Sequence, residues 1–467
     1  MDDFAEKKLQ VKFVTKQLKY AIPDVPISLP ENVSTKELNN LINQLLFPDQ
    51  SADVYVNFDF LINDELLRQS LIEHVTEKEI QIEDTIVIEY VDKLPAPSVG
   101  ECLMHNDWIA AVKAHHDNLI LTGCYDGSIG LWRTSGEMLM MVRGHEAAVK
   151  SVAWLQDVGQ EKRFVSGSDD GTCVMWSLNI HNINNNNNNN SNNNNNNNNV
   201  LNCGFLKKLH TCPMPELSPD SANATKPQNV QCVAANSDKT LFASGSWDCV
   251  VNIWSAIPNL GESQTNVQLI DDGRKKRRVD CQSVEASIRL PVQTFEGPEV
   301  GHKGQVTSVD WLDSSKVCSS SWDHSIKLWD VHAGRMTSSI VGSKVFFDLS
   351  YSPLNNLIVA ASADRHVRLY DPRITSGSVV KNTFTSHTGW VSSVHWSPEQ
   401  EHLFMSGAYD CVTKLWDIRS PKASLYDMRG HEDKILCCDW SIANDLISGG
   451  ADKQLKIFHK NNDRLAD

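Results

Sequence analysis

Nowhere in the 467 residues is there a C-x-x-C pair, a Gly-rich phosphate loop, a nucleophile elbow or an H-E-x-x-H run. Those gaps remove disulfide-exchange chemistry, P-loop nucleotide hydrolysis, α/β-hydrolase catalysis and zincin proteolysis, and leave no nucleophile with a base beside it. No cofactor is expected. Twelve cysteines are scattered along the chain, and the closest two, Cys437 and Cys438, are neighbours in a predicted strand, where bridging is disfavoured. They read as reduced, buried thiols. No window reaches the ~18 uninterrupted apolar residues that a membrane helix needs, and MDDFAEKKLQ lacks the apolar run of a signal peptide. The sequence therefore reads as soluble and intracellular, with no membrane partner.

Positive charge is scarce at the front. Residues 1–92 carry 18 Asp+Glu against 8 Lys+Arg, a net −10 of the chain's −15. Such a module repels a phosphate backbone, so its natural partner is a basic surface or a bound cation, unless the charge serves solubility alone.

What is present is a repeat. An apolar run, a hydroxyl, a small residue, an Asp, an alternating stretch and a closing aromatic recur seven times, ending at Trp132, Trp176, Trp254, Trp329, Tyr370, Trp416 and Phe458. Six residues before every closer stands an aspartate: Asp126, Asp170, Asp248, Asp323, Asp364, Asp410 and Asp452. Four residues before six of those lies a hydroxyl: Thr122, Ser166, Ser244, Ser319, Ser406 and Ser448, with Ala360 the exception. Five repeats add an upstream histidine: His105, His145, His302, His387 and His431.

This register resembles the WD-repeat family, whose His, Ser/Thr, Asp and Trp form a buried hydrogen-bonded tetrad in each propeller blade. An Asp in a buried turn needs the donors that such a tetrad supplies. Blades one, two, four and six read as complete, blade seven has Phe458 for Trp, and blade three lacks the His. Blade five lacks His, hydroxyl and Trp together, as a cooperative network predicts. Asp364→Ala is accordingly expected to cost less than Asp323→Ala. Sevenfold recurrence makes these residues architecture rather than a catalytic dyad or metal site. His115 and His116, being adjacent, are expected to point to opposite faces of a strand or into a loop, a poor chelating pair. The fold expected is an all-β seven-bladed propeller over 105–460. APSVGECLM at 96–104, within a linker at 93–104, should supply the strand that closes blade seven and removes the ring's open edges.

In front of it, residues 1–92 hold a small α+β domain whose residues 9–91 read β-β-α-β-β. LQVKFV and PISLP form a hairpin. Ser34 and Glu37 form a capping box for a helix with Leu38, Leu41, Ile42, Leu45 and Leu46 on one face, ending near Pro48. VYVNFDFLI and TIVIEYV follow, with Ile86, Ile88 and Tyr90 alternating. One helix on a mixed sheet is similar to a ubiquitin-like β-grasp. Its last strand runs on through KLPAPSV, so the domain is a fixed docking element rather than a conjugated tag.

FDFLIND with LLRQSL, then IEY, NDWI, ASADRHVRLYDPR and SHTGWV together resemble the WD-repeat ribosome-biogenesis factor that partners pescadillo-type and block-of-proliferation-type proteins. Notchless proteins share the N-terminal domain but are expected to have eight blades, against seven counted here. The resemblance implies non-catalytic assembly of the large ribosomal subunit, through pre-rRNA processing and maturation of 60S precursors, in the nucleolus and nucleoplasm. It implies release by the AAA ATPase midasin, whose metal takes an acidic side chain of the ubiquitin-like domain as a ligand. The matching position is Glu83 in IQIEDTIVIEY, and a carboxylate suits a hard cation. The plain alternative is a polar turn at Glu83 and Asp84. The rival function is a ubiquitin-pathway adaptor or substrate receptor.

Two inserts, about 179–225 and 258–298, interrupt the ring. The first holds an asparagine tract at 184–199, broken only by Ser191, that cannot form a packed core. The second holds Arg274, Lys275, Lys276, Arg277 and Arg278, which read as a nuclear-import signal, an RNA contact or a solvated charge run. Direct RNA contact stays open. Tyr125, Trp247, Trp322 and Tyr409 each precede a blade Asp, where a large aromatic serves either as a partner-binding hot spot or as packing between blades.

Overall fold

The computed structural model describes residues 8–48, 55–77, 80, 85–159, 161–179, 206–215, 228–257, 287–297, 300–374 and 379–460. Glu83, Asp84, the run from Arg274 to Arg278 and the asparagine tract lie outside them. The chain divides into two compact units, residues 1–96 and 97–467.

In the first unit, β1 (Lys8–Val14) and β2 (Ile27–Pro30) form a hairpin, followed by α1 (Thr35–Leu46), β3 (Phe58–Ile62), β4 (Glu65–Leu66), α2 (Leu71–Glu77) and β5 (Ile86–Asp92). The sheet order is β2-β1-β5-β3-β4, with β1 and β5 parallel, which is the ubiquitin-like arrangement. Ser34 and Glu37 make the reciprocal capping box, and Pro48 keeps Phe47 out of helical conformation, so α1 stops at Leu46. Alternation buries Leu9, Val11, Phe13, Ile86, Ile88 and Tyr90 against Leu38 and Ile42 of the helix. The polar face of α1 is also used. Asn43 and Asn39 exchange paired hydrogen bonds with the backbone of Val56 and Phe58, between 2.7 and 3.0 Å. Tyr90 donates its hydroxyl to the Tyr20 carbonyl. The short helix α2 escaped the pattern reading because LIEHVTE has only two turns, too few for a helical period to declare itself.

The second unit is a ring of seven sheets. Blade one comprises Ile109–His115, Leu119–Cys124, Ser128–Arg133 and Met138–Arg143. The pattern repeats to blade seven, whose three strands from Ile435 to His459 are completed by β6 (Ser98–Met104), antiparallel to Gln454–His459. Blade two carries a fifth strand, Ser287–Ile288, parallel to Leu206–Pro213. Two residues offer no period, and this strand was not anticipated.

Each blade Asp is followed by a residue in left-handed conformation: Gly127, Gly171, Cys249, His324, Arg365, Cys411 and Lys453, with φ between 63° and 82°. Only two of the seven are glycines, so five blades hold a Cβ in a strained turn.

Candidate partner-binding surface

The tetrads fix the turns that bear the surface. In blade four, His302 Nδ1 lies 2.9 Å from Asp323 Oδ2, His302 Nε2 2.7 Å from Ser319 Oγ, and Trp329 Nε1 donates to that oxygen at 2.7 Å. Blades two and six repeat this with His145, Asp170, Ser166 and Trp176, and with His387, Asp410, Ser406 and Trp416, at 2.7–2.8 Å. Blade seven joins His431 to Asp452 and Ser448, and Phe458 supplies no indole. Burial alone raises the Asp410 carboxyl, but His387 and the N–H groups of Thr388 and Val412 bring it down to about 2.

Two blades depart from the sequence reading, and blade three, lacking its His as expected, adds a feature of its own. Blade one is incomplete: His105 Nε2 reaches Thr122 at 3.0 Å, but its Nδ1 faces the Leu103 carbonyl at 3.4 Å, and Asp126 accepts from Ser128 instead. Gly130 fits because a Cβ there meets Thr122 Oγ1 at 2.5 Å and Trp132 Nε1 at 2.7 Å. Blade three puts a thioether near the hydroxyl that an imidazole would otherwise bond: Met214 Sδ takes Asn252 Nδ2 at 3.5 Å and faces Ser244 Oγ at 4.0 Å. In blade five, Asp364 is not idle. Arg368 grips it with both terminal nitrogens, one at 3.0 Å, which corrects the expectation that Asp364→Ala is cheap.

Two positions per blade form the rim. The residue before the Asp donates its backbone N–H to the residue three past the blade His, as in Tyr125 to Trp108 at 3.0 Å, Trp322 to Gln305 at 3.0 Å and Tyr409 to Trp390 at 2.8 Å. Side chains at these positions, with Phe347 and Lys150 two residues further along their strands, make one arc. Phe347 meets Trp390 at 5.8 Å between ring centroids, and Trp390 meets Tyr409 at 5.8 Å. Lys434 Nζ lies 5.5 Å from the Tyr409 ring and 4.7 Å from Trp108. Trp108 meets Tyr125 edge-on at 5.4 Å, and Lys150 covers Tyr125 at 3.8 Å. Trp390 is 50% exposed, Trp322 48%, Tyr409 39% and Trp108 36%. Such large rings in contact with water suit a protein interface.

Of the four aromatics singled out in the sequence, Tyr409 and Tyr125 belong to the arc and Trp322 stands exposed beside Gln305. Trp247 turns down, its indole N–H donating to Gln231 at 3.1 Å. Trp108, Phe347, Trp390, Lys150 and Lys434 were missed. The signal for three of them was readable: Trp108, Trp390 and Lys434 each stand three residues past a blade His.

Under the rim, the innermost strands enclose a channel of about 440 Å3. In its wall Lys113 Nζ pairs with Asp439 at 2.8 Å, and His395 Nε2 lies 3.2 Å from the same oxygen. Asp439 also accepts from the Ala114 N–H at 2.8 Å, tying blade seven to blade one. Burial and the Lys113 charge push His395 down to about 4. At the far end of the channel His115 ends its strand and His116 opens the turn, the loop placement of the two the sequence allowed, and the expected separation of the pair is what the structure corrects. Their rings lie 3.9 Å apart.

No helix among the described residues is long and apolar enough to cross a membrane. A ubiquitin-like domain ahead of seven WD blades defines a WD-repeat propeller protein with an N-terminal ubiquitin-like domain. Residues 9–75 match the NLE (NUC135) domain, and 98–133, 290–330, 335–371, 378–417 and 422–459 match the WD domain, G-beta repeat. Residues 138–270 match the propeller of DDB1- and CUL4-associated factor 12. The chain is 42% identical over 456 residues to the ribosome biogenesis protein WDR12 homolog of Aedes aegypti, covering 97% of this chain and 96% of that protein. The Culex quinquefasciatus homolog is 41% identical, covering 97% and 96%, and that of Ixodes scapularis 41%, covering 97% and 99%. The chain belongs to the WDR12 family of WD-repeat ribosome biogenesis proteins.

Proposed function

We propose that this protein is a non-catalytic scaffold for assembly of the large ribosomal subunit, acting on 60S precursors and pre-rRNA in the nucleolus and nucleoplasm. The observation that carries the reading is the full-length relation to proteins named for ribosome biogenesis, 42% over 456 residues. In this reading the aromatic arc docks a pescadillo-type or block-of-proliferation-type protein. The ubiquitin-like domain offers Glu83 to the metal of midasin, which then extracts the scaffold. Ala at 83 supplies no oxygen to that metal, and Asp moves the carboxylate ~1.5 Å, against a tolerance of ~0.2 Å in ligand distance. The run from Arg274 to Arg278 serves nuclear import.

The match of blades two and three to a DDB1- and CUL4-associated factor favours a second reading, a substrate receptor in a ubiquitin pathway. It covers 133 residues against 456 for the ribosome-biogenesis relatives, so the first reading is preferred. The test is a pull-down of the full chain with midasin's metal-site domain, with and without chelator. Chelator-sensitive capture lost in Glu83→Ala supports the docking role, and chelator-insensitive capture by Glu83→Ala overturns it.

A further inference from the structure

The turn that ends the first strand of blade one reads His115-His116-Asp117, and three donor atoms converge there. His115 Nδ1 lies 3.5 Å from Asp117 Oδ2, and His116 Nε2 lies 3.5 Å from Asp117 Oδ1. One ligand atom from each of the three residues falls within 4.8 Å of the other two. A tetrahedral ion with bonds of ~2.0–2.1 Å sets its donors ~3.4 Å apart. Both His–Asp separations are close to the length of a coordination edge but run to different oxygens of Asp117, so an ion held on one of those oxygens needs the exposed His116 ring to rotate toward it.

A second feature is independent of that spacing. The His115 side chain is 2% exposed, and its Nε2 has no hydrogen-bond partner among the described residues, with Asp157 Oδ2 standing 3.9 Å away. A ligating imidazole is oriented by donating its other ring N–H to a carboxylate, and a small shift closing the gap to Asp157 gives His115 that bond while leaving Nδ1 to the ion. On that opposite side Nδ1 receives only a long bond, 3.3 Å, from the Asp117 N–H.

The place already attracts a cation. Lys162 Nζ bridges Asp117 and Asp157, lying 2.5 Å from the latter. A metal ion taking Asp117 displaces the ammonium from one carboxylate and leaves it on the other. We propose that His115, His116 and Asp117 form a three-ligand site for a borderline divalent ion of the zinc class, with the remaining coordination position open outward. Two imidazoles and one carboxylate favour Zn2+, Ni2+ or Cu2+ over Mg2+ and Ca2+. The side chains of His116 and Asp117 are 70% and 43% exposed, so an ion has access.

The test is calorimetric titration of the untagged full-length chain with Zn2+ in excess Mg2+, paired with the visible spectrum of the Co2+ form. His116→Ala and Asp117→Asn are the variants, because His115 packs on Trp154 at 4.8 Å and its removal perturbs the fold. His332→Ala, an exposed histidine elsewhere on the propeller, is the control. The expected result is one equivalent of Zn2+, weakened at least about tenfold in both variants and unchanged in the control. The Co2+ form should show intense tetrahedral bands that vanish in His116→Ala. No binding by the parent chain, equal binding by His116→Ala, or loss of binding in the control overturns the proposal.

Discussion

Replacing Asp323 with Ala removes four accepted hydrogen bonds: from His302 Nδ1 at 2.9 Å, the Lys303 N–H at 2.8 Å, and the Ser325 N–H and hydroxyl at 2.9 and 2.6 Å. The Lys303 and Ser325 groups lie near the surface, where water replaces part of the loss. The His302 side chain is 0% exposed, and its Nδ1 exchanges the carboxylate for the Ser325 hydroxyl alone, at 3.2 Å. One charge-assisted bond to a buried donor, with partial losses at the others, costs ~2–4 kcal/mol. In blade five, Asp364→Ala strands the Arg368 guanidinium, whose side chain is 14% exposed. Breaking a buried pair costs ~3–5 kcal/mol, and the Asp364 carboxylate, 19% exposed, brings that toward ~2–3 kcal/mol. The two variants should therefore destabilise the chain to within ~1 kcal/mol of each other. Denaturant midpoints at fixed m-value are the assay, with a double-mutant cycle of Asp364→Ala and Arg368→Ala to isolate the pair. A cost below ~0.5 kcal/mol for Asp364→Ala beside a full effect for Asp323→Ala refutes the substitution of guanidinium for imidazole.

Two further outcomes follow from the turns and from the buried histidines. His324→Gly relieves a φ of 65° and should raise the denaturant midpoint by an amount worth ~0.5–1 kcal/mol, while a fall indicates that the imidazole makes contacts outweighing the strain. Burial pushes His105 and His395 to about 4, below the ordinary 6.5, so their contribution is whole above pH 6.5 and is lost as pH falls toward 4. Asp170 and Asp410, held at about 2, lose theirs between the ordinary carboxyl value of 3.8 and 2. Burial raises Asp310 to about 6, with the opposite sign, so it offsets part of the histidine loss. Chemical denaturation should show the midpoint falling from pH 7 to pH 5 and again below pH 4, and a rise over either interval contradicts these assignments.

The ring was legible because its period is long and its register tight. An Asp six residues before each closing aromatic is a backbone requirement written seven times, and β6 was readable as the only chain left to close blade seven. What the sequence hid depends on pairings between distant or unlike residues. Arg368 and Met214 take up tetrad positions with side chains of another chemistry, which no search for His reveals. Asp126 and His105 stand at tetrad spacing yet do not bond, because a short geometric offset decides and spacing does not. The Lys113, His395 and Asp439 network joins residues up to 326 positions apart. In the partner surface, the position before each Asp stands out in the sequence, whereas its neighbour three residues past the His, though equally regular in spacing, gains its meaning from the backbone hydrogen bonds that set the two side by side. His116 lies in the turn, the second of the two placements the sequence allowed, but neither placement was expected to bring its ring against that of His115.

The central claim is that an exposed aromatic arc on a rigid ring docks this scaffold to large-subunit precursors. The most direct measurement compares gradient sedimentation and protein identification for the tagged parent chain and for Trp390→Ala with Tyr409→Ala, after thermal melting has shown both to be folded. The parent should co-sediment with 60S precursors and recover pescadillo-type and block-of-proliferation-type proteins, and the double variant should lose at least one of these partners and shift toward free protein. A folded double variant that sediments with the same particles and the same partners as the parent contradicts the claim.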